Sequence, residues 1–215
     1  MSSLATDAAP RYVYVFAHGA GAGMHHPFME RASQALGAHG IATHRYEFPY
    51  MKAGKSRPDS PAVAEAAVRE AVREAAREAP TVTLLAGGKS FGGRMTSQAQ
   101  ATEPLPGVHG LVFFGFPLHA PGRPGVERAE HLSAVQIPML FLQGTRDEFA
   151  TLDLLQGVVK RLGSRATLHL IEEGDHSFKV PKRTGKTERD ILEELAQTIE
   201  NWAARVAGPA ATPRG

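Results

Sequence analysis

The stretch Gly88-Lys89-Ser90-Phe91-Gly92 directly follows the apolar run of residues 82–86, Val-Thr-Leu-Leu-Ala. An apolar run that ends in glycine predicts a buried strand followed by a sharp turn, and residues 93–99 are typical of a helix. A serine at the apex of such a turn needs small neighbours, because its backbone is strained and another segment passes close to it. The pattern therefore predicts that Ser90 is a nucleophile, the alternative being a glycine-rich strand exit without chemistry.

Two residues with complementary chemistry follow later predicted strands. Asp147 comes after the apolar residues 138–142, and His176 comes after residues 166–171. A serine hydroxyl is a weak nucleophile, so a histidine must take its proton and a carboxylate must orient that histidine. Both candidates lie at the carboxyl ends of strands, where parallel sheets gather their functional loops. The sequence thus predicts the chain order Ser, Asp, His.

Two other carboxylates compete with Asp147 for the orienting role. Glu173 and Asp175 lie close to His176 in the sequence. Side chains of adjacent residues point apart on an extended loop, so the strand-end position favours Asp147.

A glycine-rich loop follows the first predicted strand, residues 11–17. Residues 18–23 read His-Gly-Ala-Gly-Ala-Gly, and short side chains let backbone N–H groups converge on a ligand oxygen. We expect the amides of Ala20 and Phe91 to form an oxyanion hole. A flexible turn without a catalytic role is the alternative.

Several linked motifs carry a resemblance to a known family. They are His-Gly-Ala-Gly at 18–21, Gly-Gly-Lys-Ser-Phe-Gly-Gly-Arg at 87–94, Phe-Pro-Leu-His at 116–119, Gln-Gly-Thr-Arg-Asp at 143–147 and Gly-Asp-His-Ser-Phe-Lys at 174–179. From about Tyr12 to Trp202 the chain resembles small α/β-hydrolases related to dienelactone hydrolases. Within them it is most similar to the branch of testis-expressed proteins and chromatin-complex subunits, which has bacterial members. It departs at Glu148, where similar chains tend to have proline.

Four residues near these motifs are candidate substrate contacts: His18, Lys89, Arg94 and His119. Lys89 covers the nucleophile turn or attracts an anionic acyl group. Arg94 equally suits a structural ion pair, and His119 equally suits a solvent-facing position in the loop 117–136.

Other motifs fail on their spacing. A phosphate-binding loop ending at Gly88-Lys89-Ser90 would need a glycine where Thr83 stands, and a dinucleotide fingerprint would need one at Met24. His18, His25 and His26 have no second ligand cluster at metal spacing. We therefore expect neither a metal nor a cofactor.

Composition indicates a single domain without nucleic-acid or membrane partners. The 215 residues include 24 basic and 22 acidic side chains, a formal net charge of +2, and no cysteine. Such a small basic excess does not build a nucleic-acid surface, and the absence of cysteine fits a cytoplasmic location. No apolar run approaches the length of a membrane span, and the first residues lack a signal-peptide pattern.

Strand and helix patterns alternate along residues 11–206, which predicts one α/β domain with about six parallel strands and helices on both faces. Residues 1–10 and 207–215 are predicted to be disordered. Only the loop 117–136, with a short helix near 126–132, could cap the site, so we expect an open cleft. The pattern favours a serine hydrolase of a small ester or thioester, acting as a monomer or homodimer. A non-catalytic interaction module on a hydrolase fold is the alternative.

Overall fold

A computed structural model describes residues 9–206 of the chain. These residues form one six-stranded sheet in the order β2-β1-β3-β4-β5-β6, and every neighbouring pair of strands is parallel. The strands are β1 (Tyr12–Ala17), β2 (Ile41–Tyr46), β3 (Thr83–Lys89), β4 (Val108–Phe114), β5 (Met139–Gly144) and β6 (Ala166–Ile171). The helices are α1 (Pro27–Ala38), α2 (Pro49–Lys52), α3 (Pro61–Glu78), α4 (Phe91–Thr102), α5 (Leu152–Leu162) and α6 (Glu188–Val206). Short 3₁₀ helices cover Glu127–Ala134, Gly163–Arg165 and Lys182–Thr184.

The predicted α/β architecture with six parallel strands is confirmed. The predicted disordered ends, 1–10 and 207–215, lie outside the described residues except for positions 9 and 10. Helix α2, which follows β2, was not predicted from the sequence patterns. This helix begins with proline at its first position, where the missing N–H is tolerated, and it buries Tyr50.

Two apolar layers enclose the sheet. On one face α3 packs the small side chains of Ala64, Val68, Ala71, Val72 and Ala75 against residues of β1, β3 and α4. On the other face α1 and α6 cover the large aromatic side chains of β1, Tyr14 and Phe16. Trp202 of α6 lies directly on Gly110, where an added Cβ would come within 2.5 Å of the indole ring. Each large side chain buried in this way stabilises the fold by about 1.5–3 kcal/mol.

The segment 117–136 lies against the core. Leu118 at its start, and Leu132 and Val135 near its end, are fully buried, as is Phe116 directly before it. This anchoring argues against a mobile lid over the sheet, because opening the segment would expose the three buried apolar side chains of Leu118, Leu132 and Val135.

All six strands run the same way, so the loops after β1, β3, β5 and β6 leave the sheet at one edge. That edge carries each predicted catalytic residue. Among residues 9–206, no helix is long and apolar enough to cross a bilayer.

Candidate active site

Ser90 occupies the turn between β3 and α4, in a backbone conformation that residues other than glycine seldom adopt. Its φ is 49° and its ψ is −115°. Its N–H donates to the carbonyl oxygen of Phe114 at 3.0 Å, which holds the turn to the end of β4. Such strain persists only where the surroundings enforce it, and it is typical of functional turns.

Two glycines enforce the turn by letting β1 approach closely. A Cβ on Gly88 would lie 2.4 Å from the carbonyl oxygen of Ala17, and one on Gly92 would lie 2.5 Å from the carbonyl oxygen of His18. Any larger residue at either position would push the serine turn away from β1. The spacing of glycines around Ser90 is therefore a packing requirement.

The side chains of Ser90, His176 and Asp147 form one hydrogen-bonded chain. Ser90 Oγ lies 2.9 Å from His176 Nε2, and His176 Nδ1 lies 2.7 Å from Asp147 Oδ2. The Asp147 side chain is fully buried, whereas His176 retains 17% of its side-chain exposure. This arrangement can move a proton from the serine hydroxyl to the imidazole, with the charge that develops there facing a buried carboxylate.

The two competing carboxylates have other partners. Asp175 Oδ1 accepts from the backbone N–H groups of Ser177 and Lys179, at 2.8 and 2.9 Å, and so closes its own turn. Glu173 forms an ion pair with Arg183. Neither hydrogen-bonds the imidazole, whereas Asp147 does.

Two residues that sequence reasoning missed hold the acid and the histidine. Gln143 donates from Nε2 to Asp147 Oδ2 at 2.5 Å, and its Oε1 accepts from the N–H of Phe116 at 2.9 Å. The N–H of Phe149 donates to Asp147 Oδ1 at 2.8 Å, and its ring lies 4.3 Å from the His176 ring, centroid to centroid. The signal for Gln143 was present, because an amide side chain in an apolar strand needs a buried partner.

The predicted oxyanion donors have unused N–H groups. Neither Ala20 nor Phe91 donates its backbone N–H to another group within residues 9–206. Phe91 begins α4, so its amide also lies at the positive end of the helix dipole. Tyr50 of α2 donates its hydroxyl to the carbonyl oxygen of Ala20 at 2.9 Å, which orients the glycine-rich loop. Burial, reinforced by Glu47 and Asp59, raises the pKa of Tyr50 to about 12, so this donor stays protonated.

His18 supports the loop from below. Its ring is fully buried, with Nδ1 2.8 Å from the carbonyl oxygen of Gly19 and Nε2 accepting from the N–H of Phe48 at 3.1 Å. These partners require a neutral ring with the proton on Nδ1, and burial lowers its pKa. Because neither nitrogen is free, we reassign His18 from substrate contact to loop support.

His119 has a comparable structural position. It is 5% exposed, its Nδ1 lies 2.9 Å from the carbonyl oxygen of Ala120, and its Nε2 accepts from the N–H of Thr151 at 2.9 Å. The side chain thus ties the segment 117–136 to the start of α5. Both nitrogens are occupied, and we reassign His119 in the same way.

The two cationic candidates differ. Lys89 donates from Nζ to the carbonyl oxygen of His176 at 2.5 Å, so it contacts the histidine loop. Arg94 lies one turn beyond Ser90 on α4, half-buried, and its guanidinium has no hydrogen-bond or ion-pair partner in the described part of the chain. Burial and the charge of Arg128 lower the pKa of Arg94. Arg94 is therefore the remaining candidate for a substrate contact.

The described part of the chain contains no preformed set of metal ligands. Residues 9–206 contain no group of three or more His, Cys, Asp or Glu side chains placed to hold an ion. His26 instead accepts from the N–H of Phe28 at 3.2 Å and caps α1, while His25 lies at the surface 3.6 Å from Glu30.

Comparison with solved structures shows the same fold in several hydrolases. The chain superposes on a serine hydrolase without lid from Xanthomonas campestris with a TM-score of 0.70 and 23% identity, covering 96% of this chain and 86% of that one. For an α/β serine hydrolase homologue from Coxiella burnetii the TM-score is 0.72 at 18% identity, covering 92% and 88%. For dienelactone hydrolase from Anabaena variabilis it is 0.69 at 20% identity, covering 93% and 88%.

A family comparison covers almost the whole chain. Residues 10–204, which contain the six strands, the serine turn and the loops bearing Asp147 and His176, match the family described as alpha/beta hydrolase domain. The chain therefore belongs to the alpha/beta hydrolase domain family.

Proposed function

We propose that the protein is a serine hydrolase that cleaves a small ester or thioester through an acyl-enzyme. The observation that carries this proposal is the hydrogen-bonded chain from Ser90 Oγ through His176 to Asp147, built on a serine with a strained backbone. A fold alone does not define a reaction, but this combination of groups matches the requirements of nucleophilic acyl transfer.

In the proposed reaction His176 Nε2 takes the hydroxyl proton while Ser90 Oγ attacks the acyl carbon. The oxygen of the tetrahedral intermediate becomes negative and accepts hydrogen bonds from the amides of Ala20 and Phe91. His176 then protonates the leaving alcohol or thiol, and the acyl group remains on Ser90. Water attacks next, with His176 again as base, and His176 then gives the proton to Ser90 Oγ as the acyl–oxygen bond breaks and the carboxylic acid leaves. Asp147 stabilises the imidazolium in both halves.

The alternative is an interaction module that retains the fold without its chemistry. A scaffold has no need to keep a non-glycine residue at φ 49°, where the backbone strain costs about 1–3 kcal/mol. It also has no need to bury a carboxylate against a histidine. Both features favour catalysis.

A small substrate is supported by the anchored segment 117–136, which leaves little material for a long acyl channel. Arg94 favours a substrate that carries a negative group, and the dienelactone hydrolase fold relationship is compatible with small esters. From the motifs at 18–21, 87–94, 116–119, 143–147 and 174–179, we further propose that the chain is most similar to the branch of testis-expressed proteins and chromatin-complex subunits. A cytoplasmic location and a monomeric or homodimeric state remain predictions.

The decisive experiment is labelling with an alkyl fluorophosphonate, followed by peptide mapping. We expect one modified residue, Ser90, and complete loss of labelling in Ser90→Ala. Ser97→Ala is the matched control, because Ser97 lies on the same helix and hydrogen-bonds His131 at 2.8 Å, outside the proposed triad. Full labelling of another serine, or none at all in the folded protein, would remove the proposal.

A further inference from the structure

Lys89 connects the two halves of the site. It is the last residue of β3, directly before Ser90, and its ammonium donates to the backbone carbonyl oxygen of His176 at 2.5 Å. That oxygen has no other hydrogen-bond donor among residues 9–206. The strand that carries the serine and the loop that carries the histidine are therefore joined twice, once by Ser90 Oγ and once by Lys89 Nζ.

The surroundings of the ammonium are shaped for it. Nζ lies 6.0 Å from the ring centroid of Phe28 and 5.5 Å from that of Phe178, within range of cation–π attraction to both. Gly115, with φ of 68°, lies below: a Cβ there would come 3.0 Å from Nζ and 3.3 Å from His176 Nδ1. A side chain at position 115 would thus displace either the ammonium or the imidazole.

Placing an ammonium between these rings costs desolvation free energy. No carboxylate oxygen lies within 4 Å of Nζ in the described residues, so two aromatic rings and one carbonyl replace part of the water shell of this half-buried side chain. Burial lowers the pKa of Lys89 to about 8, with Asp147 and Asp175 acting in the opposite direction. A methionine would fill the same space without this desolvation. The retained charge therefore requires a reason other than packing.

Resting on the proposed function, we propose that Lys89 is a positioning residue, whose ammonium fixes the backbone of His176 so that the imidazole stays within reach of Ser90 Oγ during both proton transfers. His176 has to exchange protons with the serine, the leaving group and water, and a shift of its loop would lengthen the contact to Ser90. The contact to the carbonyl leaves the imidazole nitrogens free for Ser90 and Asp147. Lys89 touches neither the substrate nor the reacting atoms in this role.

The proposal predicts a loss of turnover on the alkaline side. The titratable groups near Nζ are the carboxylates of Asp147 and Asp175 and the ring of His176. Phe28 of α1 and Phe178 contribute aromatic rings, and Gly115 follows β4. The protonated amine makes the charge-assisted bond, so the contribution is complete well below pH 8 and declines as the pH rises through that value. In Lys89→Met this decline should be absent.

The absence of cysteine from the chain allows charge to be separated from shape. Lys89→Cys can be alkylated with 2-bromoethylamine, which places an ammonium at the length of lysine, or with 1-bromopropane, which places a methyl group there. We expect the propyl form to lose about tenfold to a hundredfold in kcat at pH 7, with KM for a short ester nearly unchanged. The aminoethyl form should recover most of this loss.

The control is Lys160→Cys, at an exposed position of α5, treated with the same two reagents. The intact mass of each protein shows whether alkylation is complete. Equal kcat in the propyl and aminoethyl forms would overturn the positioning role, as would an effect confined to KM. Wild-type protein that neither labels at Ser90 nor hydrolyses esters would remove the proposed function, and this inference with it. Labelled wild-type protein with indifferent Lys89 variants would remove the inference alone.

Discussion

The serine turn and the loops that carry the acid and base are built by different means. Backbone packing fixes the turn, through Gly88 and Gly92 against β1 and the bond from Ser90 N–H to Phe114. Side chains fix the other half, since Gln143 holds Asp147 and the ring of Phe149 covers His176. The backbone contacts of the first half do not titrate, and they leave no room for a Cβ at Gly88 or Gly92. The second can be weakened gradually and depends on protonation.

The largest expected effects come from the proposed triad, on the side-chain half. His176→Ala should reduce ester turnover by about a thousandfold or more, and Asp147→Asn should do comparably, because an amide favours the wrong imidazole tautomer. Steady-state kinetics on a short ester measures both. Asp175→Asn is the control, because the Asp175 carboxylate accepts from backbone N–H groups of its own turn and makes no hydrogen bond to the imidazole. Normal turnover in Asp147→Asn together with loss in Asp175→Asn would transfer the acid role.

Adding one methyl group at Gly92 should disrupt the packing of the serine turn against β1. Gly92→Ala should lower turnover by about a hundredfold or more and destabilise the fold by about 1–3 kcal/mol, because its Cβ would collide with the carbonyl oxygen of His18. Gly157→Ala is the matched control: its nearest neighbour would be an Arg161 nitrogen at 3.7 Å, and it lies inside α5. We expect that control to gain about 0.5–1 kcal/mol of stability. Equal behaviour of the two variants in thermal unfolding would contradict the packing argument.

A graded effect is expected at Gln143. Gln143→Leu removes a donor from a buried carboxylate and should lower kcat about tenfold to a hundredfold, since bonds to charged groups contribute about 1.5–3 kcal/mol. Gln156→Leu, at an exposed position of α5, provides the comparison. If Gln143→Leu retained full kcat, the hydrogen bond from Gln143 would not be needed to hold Asp147 in place.

The smallest effect concerns acyl length. With the segment 117–136 packed on the core, chains beyond about six carbons should gain no further buried area, although each buried methylene would contribute about 0.8 kcal/mol. We therefore expect kcat/KM to peak for acyl chains of about two to six carbons. A panel of 4-nitrophenyl esters tests this. A steady rise through twelve carbons would reveal an apolar channel and a mobile segment 117–136.

The sequence predicted the half of the site that depends on local chemistry. The strand, glycines and helix around Ser90 are adjacent in the chain, and Asp147 and His176 follow their own strands. Contacts between distant segments could not be derived, because they depend on how the loops pack. Lys89 hydrogen-bonds His176, which is 87 positions away in the sequence, and His119 contacts Thr151, which is 32 positions away. Helix α2 was missed for a different reason, because its four residues carry no periodic signal.

Two neutral histidines, His18 and His131, make the stability of the fold fall in acid. Burial lowers the pKa of His18, and burial with the charge of Arg94 lowers that of His131 to about 4. Unfolded histidine takes up a proton near pH 6.5, so the unfolded chain binds more protons and stability falls as the pH drops from there towards 4. The two rings fasten the glycine-rich loop and the segment 117–136. Mild acid should therefore loosen the rim of the cleft before it loosens the sheet, and inactivation below pH 6 should be partly conformational, with protection in hydrogen exchange lost first at these two loops.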